Sequence, residues 1–384
     1  MIRVVREDVM GIRVIKALSK SEYEHRRYEK VNKNLVKDET KAGIIMGTVN
    51  PIMTLLMNLG LVLVVAMSAS RVANHTSDPE TVIAFMQYFT QISMAMMTLT
   101  RMFVMYTKSS ASAKRIGEVL ETEDELLEKS IQEYPNIETD NHIVFDDVSF
   151  SYNGKKNDLE NISFALKKGQ SLGIIGATGS GKSTIIRLLL RFYDTTEGNV
   201  YINGRNIRTI DRKELYSFFG IALQNDFLYA DTIEENIRFG RDLSREQIVV
   251  AAKVAQADGF INEFSDGYDH MLSSKGTNIS GGQKQRVFIT RAIAGKPDIL
   301  VLDDSTSALD YRTELMLRNA LNENFKDTTV ITVAQRVSAV KNCDLILVVD
   351  GGRIIGRGTH DELMSSCAEY EEISNSQMGG AFVE

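Results

Sequence analysis

The chain has 384 residues, which exceeds the size of one typical domain and predicts two or more structural units. Its 51 acidic and 44 basic residues give a formal net charge of −7, which argues against a nucleic-acid-binding protein with a broad basic face. The two cysteines, Cys343 and Cys367, have neither the spacing of metal ligands nor a disulfide framework around them, which favours reduced cytosolic thiols.

The first 40 residues predict a helix rather than a signal peptide, because charges are spread throughout and no continuous apolar core is present. Apolar residues recur there at helical spacing, at Val5, Val9, Ile12, Ile15 and Leu18. Residues 19–28 are dense in charge and begin with side chains that favour a helix N-terminus. Taken alone, this charged segment is either a solvated helical turn or a contact surface for another domain.

Two uncharged stretches predict transmembrane helices. Residues 42–70 contain no Asp, Glu, Lys or Arg and are long enough to cross a hydrocarbon layer of about 30 Å. Pro51 is tolerated there when neighbouring helices cover the freed backbone carbonyl. Residues 81–100 have about the minimum spanning length, and Gln87 and Gln91 suggest that this segment faces other helices or an aqueous path. Its methionines fit either adaptable packing or contact with an apolar cargo: Met86, Met94, Met96 and Met97.

The distribution of basic residues predicts the orientation of both spans. The loop between them carries Arg71 against Asp78 and Glu80. Both ends of the pair are therefore expected in the cytoplasm, and the chain in the plasma or inner membrane, embedded in the lipid bilayer. The basic residues that lie before the first span or after the second are Lys33, Lys37, Lys41, Arg101, Lys108, Lys114 and Arg115.

After residue 120 the pattern changes. Residues 121–141 are acidic, contain Pro135 and show little periodicity, which indicates a linker. Short apolar runs separated by glycine turns and helices then predict an α/β domain with a sheet core. These runs are residues 143–150, 171–175, 200–202, 299–303, 330–333 and 345–349.

A glycine-rich loop, GATGSGKST, follows the second apolar run and precedes a helical pattern. It fits G-x-x-x-x-G-K-[ST], in which successive backbone N–H groups turn inward and surround a polyphosphate at the positive end of a helix. Lys182 would reach the β- and γ-phosphates and Ser183 would hold Mg²⁺, so the loop predicts binding of ATP with Mg²⁺. It does not decide whether ATP is hydrolysed. The residues of the loop are Gly176, Ala177, Thr178, Gly179, Ser180, Gly181, Lys182, Ser183 and Thr184.

Further motifs make the chain resemble the ATP-binding cassette (ABC) family over residues 143 to about 363. They are FSYN around Tyr152, ALQND around Gln224, ISGGQ at 279–283, ILVLDD at 299–304 and SALD at 307–310. The last three correspond to the family's signature, Walker B motif and D-loop. The resemblance implies an α/β P-loop nucleotide-binding domain with a helical subdomain.

The resemblance also implies a role for each matched position. Tyr152 corresponds to the aromatic residue that stacks on adenine, and Asp303 to the carboxylate that orders the Mg²⁺ shell. Gln224 corresponds to the glutamine that contacts Mg²⁺ or the attacking water and senses the membrane domain. The signature would bind the γ-phosphate held by the opposite subunit, so that one cassette makes half of each of two sites. The signature residues are Ser280, Gly281, Gly282 and Gln283.

The N-terminal segment with its two spans narrows the resemblance to one class of ABC proteins. MGIRVIKALSKSEYEHRRYEKVN, ahead of two spans, is similar to the last third of the membrane domain of type IV exporters, the half-transporters of the multidrug and lipid class. On this resemblance residues 19–28 become the second coupling helix, whose groove lies near Gln224 and Phe227 of a cassette, typically the other subunit's. Such a subunit has six spans. We therefore expect a longer reading frame or a fragment, with a deliberate two-span tethered cassette as the alternative.

Two catalytic positions depart from the family pattern. The family usually has Glu after the Walker B aspartate and His in the switch loop, whereas this chain has Asp304 and Gln335. The side chain of Asp304 is shorter than that of Glu by about one methylene, so its carboxylate lies farther back. A misplacement on the order of 1 Å can lower the reaction rate about a hundredfold. Gln335 is neutral, and losing one well-aimed donor typically costs about 10²–10³. Both changes predict slow hydrolysis at the chain's own phosphate loop.

A weakened own site beside a nearly intact signature resembles one half of a heterodimeric exporter. The predicted function is a subunit of an ATP-driven exporter whose signature completes the site of a second half-transporter that has the Walker B Glu and the switch His. The alternative is a membrane-tethered regulatory subunit that binds nucleotide without transporting, and the sequence assigns no substrate. The predicted organisation is a coupling region at 1–40, two transmembrane helices with a cytoplasmic extension at 41–120, a linker at 121–141 and the nucleotide-binding domain at 142–384.

Overall fold

The computed structural model describes residues 1–74, 78–122, 126–224 and 226–378. The chain divides into two compact units, Met1–Glu123 and Asp124–Glu384. The first unit is helical and the second is α/β, which confirms the predicted fold class. Residues 123–125 of the predicted linker and the side chain of Arg101 lie outside the described part of the chain.

The first unit contains helices α1 (Ile2–Ala17), α2 (Ser21–Ala73) and α3 (Pro79–Leu120). The helix predicted over residues 1–40 is therefore interrupted. The break is a Schellman motif, in which the Lys20 N–H donates to the Ile15 carbonyl (2.9 Å) and the Ser19 N–H to that of Lys16 (3.1 Å). Ser19 takes the left-handed conformation that this motif requires, with φ 51°. Most of the charged segment 19–28 is the beginning of α2, which continues into the first span.

Helices α2 and α3 each contain an apolar stretch that is long enough to span a membrane. The stretches are Pro51–Ala73, with a mean hydropathy of 2.2, and Pro79–Leu99, with 1.3. Gly60 allows the two helices to approach closely, because a Cβ there would lie 3.1 Å from the ring of Phe89. Hydroxyl groups of the second stretch donate to carbonyls one turn earlier in α3, so this helix is less polar than its sequence predicts. These donors are Thr90 (2.9 Å), Ser93 (2.6 Å) and Thr98 (2.9 Å).

The described residues of the second unit form two β-sheets. An antiparallel sheet has the order β2-β1-β4-β5, and a six-stranded sheet has the order β10-β9-β3-β8-β7-β6. The five strands from β9 to β6 are parallel, and β10 pairs antiparallel with β9 at the edge. The strands are β1 (Ile143–Phe150), β2 (Leu159–Leu166), β3 (Ser171–Ile175), β4 (Glu197–Ile202), β5 (Arg205–Asn206), β6 (Phe219–Ala222), β7 (Ile299–Asp303), β8 (Thr329–Ala334), β9 (Leu345–Asp350) and β10 (Arg353–Gly358).

All six predicted apolar runs lie within strands, but four strands of the described chain show no such run: β2, β5, β6 and β10. Strand β5 has only two residues. Strand β2 alternates between buried and exposed positions, and β10 exposes every other residue. Strand β6 has only four residues. Edge and half-exposed strands do not need the continuous apolar sequence of a strand that is buried on both faces, such as β7.

The helices of the second unit surround these sheets. One core lies between the two sheets and includes α4, a second joins α6–α9 to β6 and β7, and a third joins the C-terminal helices to the ends of β3, β8 and β9. The helices are α4 (Lys182–Leu189), α5 (Arg212–Ser217), α6 (Ile233–Arg238), α7 (Arg245–Val254), α8 (Asp258–Ile261), α9 (Gly281–Ile293), α10 (Tyr311–Asn324), α11 (Val337–Val340), α12 (His360–Ser366) and α13 (Ala368–Met378).

Residues 126–141 have no helix or strand and run along the second unit. The Arg191 guanidinium donates to the Leu127 carbonyl (2.7 Å), and the Lys129 N–H donates to the Arg208 carbonyl (2.8 Å). The guanidinium of Arg208 lies 4.6 Å from the ring centroid of Tyr134. The described part of the predicted linker is therefore fastened to the α/β unit by two arginines.

The contact between β3 and α11 leaves no room for a side chain at Gly173. A Cβ there would lie 2.6 Å from the Cβ of Val340, whereas a Cβ at Gly259 in α8 would meet nothing within 4 Å. We expect Gly173→Ala to lower stability by about 1–3 kcal/mol because overpacking displaces the neighbours, and Gly259→Ala to leave it unchanged or slightly raised. Scanning calorimetry of the chain in detergent measures both; equal unfolding temperatures would contradict the tight contact.

Candidate functional site

The glycine-rich loop connects β3 to α4, as predicted. A Cβ at Gly176 would lie 2.0 Å from the Val349 carbonyl oxygen of β9, so only glycine fits there. Gly181 is the N-cap of α4 with φ 108°, and the Gly352 N–H donates to the Ser180 carbonyl (3.0 Å). Strand β9 and the turn after it therefore hold the loop in shape.

The side chain of Lys182 folds over this loop. Its Nζ donates to the carbonyls of Gly176 (2.8 Å) and Ala177 (2.6 Å). Burial lowers the pKa of Lys182, and the nearby carboxylates of Asp303 and Asp304 oppose that shift. The ammonium group is thus held at the N-terminus of α4, where the helix dipole and the unpaired N–H groups also favour an anion.

Ser183 and Asp303 supply oxygen atoms at the same end of the cleft. The Ser183 hydroxyl donates to Asp303 Oδ1 at 3.4 Å. Asp303 is the last residue of the buried strand β7, and burial raises the pKa of its carboxyl group. A hydroxyl, a carboxylate and the amide oxygen of Gln224 are the hard ligands that Mg²⁺ prefers, with phosphate oxygens completing its shell. These residues therefore fit Mg²⁺, and a divalent cation there would favour the ionised carboxylate.

Asp304 is held by the side chain of Gln224. Gln224 Nε2 donates to Asp304 Oδ2 (3.1 Å), and the Asp304 N–H donates to the Val333 carbonyl (2.9 Å). The backbone of Asp304 is left-handed, with φ 50°. Burial raises the pKa of this carboxyl group, while the hydrogen bond from Gln224 lowers it. The carboxylate therefore has a fixed position against Gln224.

These side chains line one open cleft with an empty volume of about 900 Å³. The structure thus brings together the phosphate loop, the Walker B carboxylates, Gln224 and Gln335, which the sequence separates by up to about 160 positions. Gly176, Ala177 and Ser180 shape the loop from behind. The residues that line the cleft are Tyr152, Asp158, Thr178, Gly179, Gly181, Lys182, Ser183, Thr184, Gln224, Asp303, Asp304, Val333, Ala334 and Gln335.

Tyr152 stands in this cleft within an aromatic cluster. Its ring makes edge contacts with Phe150 (4.7 Å between centroids) and Tyr193 (5.1 Å). Its hydroxyl donates to Thr184 Oγ1 (3.3 Å) and accepts a hydrogen bond from the Arg187 guanidinium (3.0 Å). The ring is therefore fixed by packing, and its polar end by two hydrogen bonds.

Sequence reasoning missed two residues that hold Tyr152. Asp158 accepts a hydrogen bond from the Tyr152 N–H (2.9 Å), and Arg187 donates to the Tyr152 hydroxyl. The position of Arg187 carries a signal, because it follows Ser183 by four residues and so lies on the same face of α4. Asp158 belongs to a loop and carries no comparable signal.

The signature motif lies at the start of α9 and not among the described residues that line the cleft. Ser280 is the N-cap of α9 in a capping box: its hydroxyl accepts from the Gln283 N–H (3.2 Å), and the Gln283 side chain accepts from the Ser280 N–H (2.8 Å). Gln285 then joins this helix to the D-loop, because it donates to Ser307 Oγ (3.1 Å) and accepts from the Ala308 N–H (2.8 Å). The signature and the D-loop form one connected surface.

An exposed aromatic patch follows Gln224 in the chain. We define it as Phe227, Tyr229 and Phe239, which are between 37% and 53% exposed. Their rings contact each other in sequence, at 5.0 and 5.2 Å between centroids. The Arg291 guanidinium lies 5.3 Å from the ring centroid of Phe239. Exposed aromatic side chains that contact one another are typical of a protein contact surface.

Two family profiles match the chain. Residues 159–307 match the profile described as ABC transporter, and residues 1–96 match that of the ABC transporter transmembrane region. The chain is 37% identical over 379 residues to an uncharacterized ABC transporter ATP-binding protein, YfiB of Bacillus subtilis, covering 98% of this chain and 65% of that protein. It is 33% identical over 373 residues to a fatty acid ABC transporter ATP-binding/permease protein of Mycobacterium tuberculosis, covering 97% and 59%.

A solved structure also resembles this chain over almost its whole length. A bacterial Atm1-family ABC exporter with ATP bound matches with a TM-score of 0.87 at 29% identity, covering 99% of this chain and 66% of that one. The chain thus spans slightly less than two thirds of the length of these relatives.

The ring of Tyr152, rather than its hydroxyl, is expected to determine the affinity for ATP. We expect Tyr152→Ala to weaken binding by about 5- to 150-fold, because stacking of a base on an aromatic ring contributes about 1–3 kcal/mol. Tyr152→Phe keeps the ring and its edge contacts and should bind nearly as well as the wild type. Competition with a fluorescent ATP analogue measures both, and inorganic tripolyphosphate, which has no base, should bind all three proteins equally. An equal loss in both variants would contradict stacking.

Proposed function

This chain belongs to the ABC transporter family and lies in the inner membrane with its ATP-binding domain in the cytoplasm, and we propose that it is a subunit of an ATP-driven exporter. The observation that carries the proposal is the cleft, in which the phosphate loop, two Walker B carboxylates, Gln224 and Gln335 converge. The same chain has two apolar helices of spanning length. Nucleotide chemistry and a membrane segment are thus joined in one polypeptide.

The cleft binds MgATP through the chain's own side chains. Lys182 exchanges its two loop carbonyls for phosphate oxygens, which offer a buried ammonium a stronger, charged partner. Thr184 and the loop N–H groups hold the remaining phosphates, and Tyr152 stacks on the base. Ser183, Asp303 and Gln224 would hold Mg²⁺, which would neutralise phosphate charge when bound.

The signature serves a second cassette. Because residues 280–283 are outside the chain's own cleft, the N-terminus of α9 is available to the nucleotide of a partner subunit. Gln285 transmits the position of that nucleotide to the D-loop. Closure of two cassettes around two nucleotides requires a second half-transporter.

The second half-transporter is a different chain. At this chain's own site the shorter carboxylate of Asp304 is engaged by Gln224, and Gln335 replaces the switch histidine, which supports slow hydrolysis there. Fast hydrolysis then occurs at the partner's phosphate loop, which Ser280 to Gln283 complete. The partner has a Walker B Glu and a switch His.

The aromatic patch receives the coupling segment of the partner half-transporter. Residues 19–28 of this chain correspond to a coupling helix, which would serve the partner's cassette in the same way. Phe227 of the patch follows Gln224 by three residues, and Gln224 donates a hydrogen bond to the carboxylate of Asp304. Closure of the cassettes is thereby transmitted to the membrane helices. A non-transporting regulatory subunit remains the second candidate, favoured by the same departures at Asp304 and Gln335.

Substitutions in the two half-sites should have unequal effects on the exporter. In vesicles with both chains we expect Ser280→Ala to lose nearly all hydrolysis, because it damages the fast site, and Lys182→Ala to slow hydrolysis without abolishing it. Ser244→Ala is the matched control, since Ser244 caps α7 with the same capping box. Phosphate release is the measurement, and the reverse ranking would indicate a homodimer. If these vesicles show no substrate flux that depends on both chains, the result would favour the non-transporting regulatory subunit.

Restoring the family residues should accelerate hydrolysis at the chain's own loop. We expect Asp304→Glu combined with Gln335→His to raise the rate of hydrolysis by the purified chain in lipid by about 10- to 100-fold. The longer carboxylate and the introduced imidazole would then stand where the family has its Glu and His. Asp327→Glu, at an exposed position, is the matched control. A wild-type chain that already hydrolyses as fast as the double variant would contradict the weakened site.

A further inference from the structure

The C-terminal helix α13 contacts the loop that carries Gln335. Gln377 Oε1 accepts a hydrogen bond from the Val337 N–H (2.8 Å), and Gln377 Nε2 donates to the Gln335 carbonyl (2.8 Å). One side-chain amide therefore pairs with two backbone groups of this loop. Gln377 lies about 40 positions from its partners in the sequence.

The Val337 N–H needs such a partner. Val337 begins α11, and the first N–H groups of a helix have no acceptor within the helix. Arg336, the N-cap residue, provides no side-chain cap in the described part of the chain. Gln377 thus caps α11 from a different helix, and the same amide holds the carbonyl of Gln335, whose side chain lines the cleft.

Helix α13 is a firm support for this contact. Tyr370 of α13 is fully buried, and its hydroxyl lies 2.9 Å from His360 Nδ1. Tyr370 belongs to the same core cluster as Val337 and Ile175, the residue that immediately precedes the phosphate loop. The helix therefore packs behind both the loop of Gln335 and the strand that carries the glycine-rich loop.

We propose that Gln377 is a positioning residue for Gln335, and that α13 controls hydrolysis through this amide. The proposal rests on the proposed role of Gln335 at the chain's own site. Only a side chain that donates and accepts satisfies both backbone groups. Leucine does neither, and a glutamate accepts from the Val337 N–H but faces the Gln335 carbonyl with a second acceptor.

Hydrogen exchange of the full chain in lipid tests the contact directly. Gln377→Leu should accelerate exchange of the Val337 amide by at least about fivefold, because the N–H loses its acceptor. Gln377→Glu should keep most of the protection. Ser376→Ala, one position earlier on α13, is the matched control and should leave exchange unchanged. Unchanged exchange at Val337 in Gln377→Leu would overturn the proposal.

Kinetics then test whether Gln377 acts through Gln335. We expect Gln377→Leu to lower kcat of the purified chain by about three- to tenfold with an unchanged affinity for ATP, because geometry rather than binding is lost. In a Gln335→Ala background the same substitution should have no further effect. An equal loss in both backgrounds, or a loss of ATP affinity, would assign Gln377 a merely structural role and overturn the proposal.

The two hypotheses fail in different ways. If the wild-type chain binds MgATP without any hydrolysis, the proposed slow site is wrong, and the exchange of the Val337 amide alone decides whether Gln377 holds the loop. If hydrolysis is present and unaffected by Gln377→Leu, positioning by Gln377 is wrong and the proposed function stands.

Discussion

The register of three neighbouring parallel strands is the constraint on which the site depends. Ile175 at the end of β3 pairs with Ala334 at the end of β8, and Asp303 at the end of β7 pairs with Val333. The segments that follow these strands therefore emerge at one edge of the sheet, which is where α/β proteins bind ligands. A shift of one strand by a single residue would separate the carboxylates from the phosphate loop.

The charges gathered at this edge are poorly satisfied by the protein alone. Burial lowers the pKa of Lys182 and raises those of Asp303 and Asp304, so the fold disfavours the charged form of all three groups. A bound polyphosphate would supply negative charge to Lys182, and a divalent cation would supply positive charge to the two carboxylates. The same groups that cost stability in the free protein would thus favour binding of ATP, which would stabilise the domain in turn.

The site is supported from behind by elements outside the known motifs. Strand β9 and its following turn shape the glycine loop through Val349 and Gly352, and α13 holds the loop of Gln335. The chain around Leu127 is fastened to Arg191, which follows α4, the helix that begins with Lys182. Strand β9, α13 and the segment around Leu127 contribute no residue to the cleft motifs, yet they help to fix the position of the loops that carry these motifs.

The sequence by itself determined the local features of this protein. The glycine loop, the two apolar spans and the six apolar strands each depend on neighbouring residues, so local pattern, composition and periodicity suffice to find them. The signature is also local, and it is found by its resemblance to the family motif. The tertiary structure decided which side chains meet: Gln224 with Asp304, Asp158 with Tyr152, and Gln377 with the backbone beside Gln335. It also decided where α1 ends and that β2 and β10 are strands. Long-range contacts depend on strand order and helix packing, and these produce no periodic pattern in the amino-acid sequence.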